Sequence, residues 1–363
     1  MIETISIYQW LFVFAFWLVL LIRSRKQITY NYCSEGIGQW GFIIAIAIFS
    51  TFAFLTGDFS NYRELYNLIS IQKTEIHLEP FYCWLIFELP DNYYIWRFVV
   101  WGTATVLLAI IYKKTSPNFK QSVALFIIMA LSTFPNLRNN LGLIMLYFAM
   151  IYLLFSKRGI CCRVVICIFG IICAFYLHKS MFMYILLVGL SLIPLNRAFF
   201  ISSLALFPII YKVVPIMASL FLTNSFASED SIASGQGYID SDFNQTANFY
   251  GLIQLSLWRI PVLLLIFYAI INIYFKKERV AYKYKIFLNY SYLLLYIAFL
   301  FYGQPVSAFF SSRFQDAVMV PLTIFLGYYL TEKPRSGFIK SCLYFLILAN
   351  IYDFAYILYK NVI

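Results

Sequence analysis

Long apolar runs separated by short connections cover most of this 363-residue chain, and they limit its fold more than any other feature. Twelve can be drawn, at about 5–22, 38–55, 93–112, 120–134, 140–155, 162–177, 180–195, 198–222, 251–275, 286–302, 314–330 and 340–358. A helix needs roughly 20 apolar residues to cross a bilayer, and most of the runs approach that length. Only 12% of positions are charged and 62% are hydrophobic, against about 25% charged in an average soluble domain. The chain is therefore expected to be all-α and polytopic, a single integral membrane domain over 1–363 with about twelve transmembrane helices. A disordered chain, a disulfide-rich secreted domain and a nucleic-acid binder are excluded, because the +11 net charge is not gathered into a basic soluble module.

That charge sorts by membrane side. The first run has no Lys or Arg ahead of it and is followed by Arg23, Arg25 and Lys26, the reverse of a cleavable signal peptide, so its N-terminus is placed outside. Alternating from there, the inner connections collect eighteen basic residues, Lys113, Lys114, Lys157, Arg158, Lys276, Lys277 and Arg279 among them. Only Glu35, Glu278 and Glu332 stand against these. The inner side carries +15 and the outer side −4, which satisfies the positive-inside rule and leaves anionic lipid as the only partner the charge requires. The seven cysteines fall mostly within spans or on the inner side, so no disulfide framework is expected. No Gly-rich phosphate loop, His-Glu-x-x-His helix or paired Cys-x-x-Cys occurs, so ATP hydrolysis and structural zinc have no support in the sequence and no cofactor is expected, and any chemistry must use an already activated substrate.

Two outer segments are too long to be turns, about 56–92 and about 223–250. In the first, Asp58, Tyr62 and Tyr66 recur at i, i+4 and i+8, which on a helix puts a carboxylate and two phenol rings on one face. A sugar could stack on those rings; an interfacial helix with a tyrosine belt explains them equally well. Beyond Glu79 and Pro80, the apolar stretch over 81–89 is halted by Pro90 and Asp91. It is too short to span and is expected to be a re-entrant or interfacial helix. The second segment carries Glu229, Asp230, Asp240 and Asp242 without a Lys or Arg. Its Asp240-Ser-Asp242 reads as solvated charge rather than as a metal-binding Asp-x-Asp, and its Asn244-Gln-Thr246 is a sequon by composition alone.

Single cations at the outer ends of apolar helices are less easily explained. Arg97, Arg138, His178 with Lys179, Arg259 and Arg313 each sit where the positive-inside preference is forfeited. One such Arg is ordinary snorkelling. Five outer basic sites on separate helices suit an anion held at the membrane surface, and the planar fork of arginine suits phosphate oxygens.

The order Asp58-x-x-x-Tyr62-x-x-x-Tyr66, Glu79-Pro-x-Tyr82, Arg138-Asn-Asn-Leu-Gly, His178-Lys-Ser-Met and Ser312-Arg313-Phe resembles the EpsG-type, Wzy-like polymerases of exopolysaccharide, capsule and O-antigen, over about residues 40–330. In that family the arginine corresponding to Arg138 is usually followed by Gln, where this chain has Asn139. The last motif often carries an aromatic where this chain has Asp316 and Ala317. The resemblance implies a glycosyltransferase in the bacterial cytoplasmic membrane that moves a growing glycan from undecaprenyl pyrophosphate onto the next lipid-linked repeat unit, on the outer face. It also implies a multi-span architecture related to membrane-embedded, GT-C-like glycosyltransferases, and a flippase and a chain-length regulator as partners. On this reading Arg138 and Arg313, with Lys179 or Arg97, stabilise the leaving pyrophosphate. Glu79, Tyr62 and Tyr66 bind substrate, and His178 or Asp58 is the base for the acceptor hydroxyl. A flippase or transporter is the main rival, although alternating access predicts polar residues near the midplane and two related halves. A glycan ligase or acyltransferase would use the same outer residues.

Overall fold

The computed structural model describes residues 7–30, 37–53, 58–70, 80–89, 92–131, 134, 137–178, 181–224, 249–301, 307–332 and 337–362. These residues form helices and no strand. In chain order they are α1 (Ile7–Tyr30), α2 (Gln39–Phe52), α3 (Asp58–Ser70), α4 (Pro80–Glu88), α5 (Tyr93–Thr115), α6 (Phe119–Met129), α7 (Leu137–Phe155), α8 (Ile160–Leu177), α9 (Met181–Ser191), α10 (Arg197–Asn224), α11 (Phe249–Ile270), α12 (Tyr282–Leu300), α13 (Ser307–Glu332) and α14 (Gly337–Val362). A π-helical turn, Ile271–Phe275, continues α11.

Each of the twelve apolar runs has become a helix, and the segment 56–92 adds α3 and α4. The nine residues of α4 fall one position ahead of the short helix expected at 81–89. Three runs give helices shorter than a bilayer needs: α2 with 14 residues, α6 with 11 and α9 with 11. Local chain chemistry accounts for the early stops. The N–H groups of Ala130 and Leu131 both turn back to Phe126 O, at 2.8 and 3.1 Å, which closes α6 ahead of Pro135. In α9, Leu192 and Ile193 bond three residues back, to Gly189 and Leu190, ahead of Pro194.

Among the described residues, two helices, α5 and α8, are long and apolar enough to cross a membrane. On α8 the apolar side chains point outward: Val165 is 64% exposed and Phe169 65%, with Ile168, Ile172 and Tyr176 beside them. A surface of that kind matches hydrocarbon rather than water. Hydroxyls inside the apolar helices can bond the preceding turn, as Thr51 Oγ1 does to Ala47 O at 2.7 Å and Thr105 Oγ1 to Trp101 O at 2.6 Å, which meets these two hydroxyl protons within their own helices. An all-helical chain with these features fits a helical membrane protein.

The chain divides into two compact units, residues 1–188 with 319–363, and residues 189–318. In the first, α2 packs on α5, α5 on α7, α7 on α8, and α1 on α6 and α14. Tyr112 bonds Thr323 at 2.7 Å, and Asn350 Nδ2 donates to Ile128 O at 2.9 Å. In the second, α11 and α10 pack on α12. Phe200 lies against Tyr274 and Tyr292, with ring centroids 4.7 and 5.0 Å apart, and Tyr274 donates to Asn289 Oδ1 at 2.6 Å.

Candidate functional site

Helices α7 and α8 form an antiparallel hairpin whose contact depends on two glycines. A Cβ at Gly170 would stand 2.9 Å from Ala149 Cβ, and one at Gly142 would stand 2.9 Å from Met181 Sδ and 3.3 Å from Ala174 O. At the far end of the hairpin Arg163 Nη1 donates to Leu153 O at 3.1 Å. The start of α7, with Arg138-Asn-Asn-Leu-Gly142, therefore lies at the end where α8 turns into α9 through His178-Lys-Ser-Met181. Lys157, Arg158 and Arg163 mark the opposite end. The 18 residues of α8 separate the two ends by about 27 Å, close to a hydrocarbon thickness.

Main-chain bonds hold the α8–α9 corner. His178 is extended (φ −161°, ψ 117°) and closes α8; its N–H donates to Ala174 O at 3.0 Å, and its carbonyl accepts from Met181 N at 3.0 Å. His178 is buried, 7% exposed. Other residues expected on the outer side gather at the same end of this unit. Trp101, in the first half of α5, lies 4.6 Å from Phe134, whose carbonyl accepts from Asn140 Nδ2 at 3.0 Å. Helix α4 packs on α3 and α8, and Trp96 Nε1 donates to Leu85 O at 3.0 Å.

Two sequence candidates have their side chains committed to this scaffold. Arg97 is 1% exposed, and its guanidinium closes the C-terminus of α2: Nε donates to Thr51 O at 3.0 Å, and Nη2 donates to Ser50 O and to Ala53 O at 3.0 Å. Nη1 reaches Tyr93 Oη at 3.2 Å. A cation at a helix C-terminus meets both the dipole and the open carbonyls, which explains a buried charge without substrate. Tyr66 is likewise 1% exposed, packed between Tyr93 and Trp96 at 5.4 and 5.5 Å rather than presented for stacking. Arg97→Met should leave three carbonyls unmet and cost about 3 kcal/mol or more. A lower Tm with little change in KM is the expected result; an unchanged Tm with a raised KM would return Arg97 to the substrate.

In the second unit, Arg313 and Asp316 are one turn apart on α13, and Asp316 lies within electrostatic reach of both Arg313 and Arg259. The i, i+3 spacing of Arg313 and Asp316 was available in the sequence; the approach of Arg259, 57 residues upstream, was not. Glu79, Lys179 and the acidic stretch with Asp240, Asp242 and Asn244 lie outside the described residues, as do the side chains of Asp58, Tyr62 and Arg138. Among the described residues no group of three His, Cys, Asp or Glu could hold a metal ion, and the six described cysteines are free thiols. The chain matches no protein-family model, no curated protein and no solved structure.

Proposed function

We propose that this chain is a polysaccharide polymerase of about twelve crossings, GT-C-like in organisation, in a bacterial cytoplasmic membrane. It joins undecaprenyl-pyrophosphate-linked repeat units on the outer face. The observation that carries this reading is the junction at Gly142: two short segments, each holding a cationic or imidazole side chain and lying about 40 residues apart, meet at one end of a hairpin whose other end is strongly basic. By the positive-inside rule the basic end is cytoplasmic, which puts Arg138 and His178 outside. There the acceptor hydroxyl gives its proton to a base, His178 or Asp58, and its oxygen attacks the anomeric carbon of the donor glycan. The bond from that carbon to pyrophosphate breaks, and undecaprenyl pyrophosphate leaves with the electron pair, its charge met by Arg138 and Arg313.

The glycolipids of a deletion strain test the reading. A polymerase mutant accumulates single lipid-linked repeats on the outer face, whereas normal polymer would end the proposal. A flippase for the same lipid is the second reading, favoured by Pro321 near the middle of α13, where a main-chain N–H is missing from the helix ladder. Single repeats trapped on the inner face would select it.

The topology has its own check. Cysteines introduced singly at Ser231 and Arg279, in a background without native cysteine, should label from outside and inside respectively. The reverse labelling would invert every assignment of side.

A further inference from the structure

On α7, positions 139 and 142 are one turn apart and share a face. Gly142 meets the α8–α9 corner through Met181 and Ala174 O, so Asn139 stands on that same face, one turn nearer the helix start and nearer the corner that His178 closes. Asn139 is 3% exposed, yet its side-chain Oδ1 has no hydrogen-bond partner. The contrast with its neighbour is direct, since Asn140 is also buried but spends its amide on Phe134 O. Buried polar atoms are almost always hydrogen-bonded, and an open acceptor beside a functional corner calls for a donor that arrives from outside the chain.

We propose that Asn139 is a substrate-binding residue whose Oδ1 accepts a hydrogen bond from an uncharged donor, a hydroxyl or an amide N–H, on the glycan of the lipid-linked repeat unit. The neutrality of the side chain selects the class. A neutral carbonyl suits a neutral donor, whereas an ammonium group entering so buried a place would need a carboxylate. A substrate lacking the donor would leave this atom unmet, which is how one buried acceptor discriminates between otherwise similar sugars. The identity of the ligand rests on the polymerase reading; the open acceptor itself does not.

The test is thermal unfolding of the purified full chain in detergent, with and without an extract of undecaprenyl-linked glycolipids from the producing cells. The extract should raise the Tm of the wild-type protein. Asn139→Leu replaces an unmet polar group by an apolar one of similar volume, so without extract its Tm should equal or exceed that of wild type. Its apparent affinity for the extract should fall about fivefold or more. Asn139→Ala, which fits any helix, should show the same loss of affinity and serves if the Leu variant does not fold. N-deacetylation of the extract separates the donors: lost binding assigns an amide N–H, and retained binding assigns a hydroxyl. Wild-type affinity in the variants, or no effect of the extract on the wild type, overturns the proposal. Binding that depends on Asn139, in a protein whose deletion leaves polymer unchanged, would defeat the polymerase reading and leave the site standing.

Discussion

His178→Gln is expected to lower turnover on the order of a hundredfold with little change in affinity for the lipid-linked donor. Glutamine keeps a polar group of similar reach but cannot accept a proton near neutral pH. The corner itself should survive the change, because Ala174 O and Met181 N hold the main chain of residue 178 and neither bond involves the imidazole. A loss of turnover therefore reports proton transfer rather than misfolding, and an unchanged Tm in the variant confirms it. Asp58→Asn supplies the contrast. Asp58 opens α3, and if its carboxylate only orients sugar, the loss should include weaker substrate binding; a base role would spare binding and remove turnover. The assay is polymer ladder formation by purified enzyme from a synthetic undecaprenyl pyrophosphate repeat unit, followed against substrate concentration. Near-normal turnover in His178→Gln would eliminate the imidazole and move the proton to Asp58.

The helices were legible because each apolar run carries its own periodic signal, and α4 was legible because Pro80 and Pro90 bracket it. Their lengths were less so. What ends α6 is a pair of N–H groups turning back to one carbonyl, and no residue type announces that choice. The candidate site divides along the same line. Arg97 was visible as a cation where the positive-inside rule disfavours one, but its partners are main-chain carbonyls on another helix, 44 to 47 residues away. Carbonyls have no sequence signature, so the residue read as waiting for an anion. Tyr66 shows the matching limit for helix faces. Periodicity groups Asp58, Tyr62 and Tyr66 on one stripe, yet it does not say whether that stripe meets a ligand or the ring of Trp96. Asn139 stood out only as the residue found where the polymerases it resembles usually carry Gln, because asparagine next to asparagine is otherwise unremarkable in sequence; both are buried, and only their hydrogen bonds separate the one that bonds Phe134 O from the one whose Oδ1 is unmet.

Arg138→Lys and Arg313→Lys are expected to impair polymerisation almost as severely as the alanine variants while leaving the protein inserted in the membrane. The two positions differ in a way that sharpens the comparison. Arg138 lies in the first turn of α7, where the helix dipole already favours an anion, so a lysine there retains much of the local positive field. Arg313 shares Asp316 with Arg259, and a lysine keeps the charge balance of that cluster unchanged. In neither case does substitution remove the charge; it removes the planar fork that engages two phosphate oxygens at once. If the leaving pyrophosphate is held by that fork, both Lys variants should give short products and a lower kcat with the substrate concentration at saturation. If plain charge suffices, Arg138→Lys should recover first, because the helix start supplies what the side chain loses. Wild-type chain length in both would remove the fork from the mechanism and leave pyrophosphate stabilised by the summed field of the outer cations, a contribution that should then weaken visibly as salt is raised.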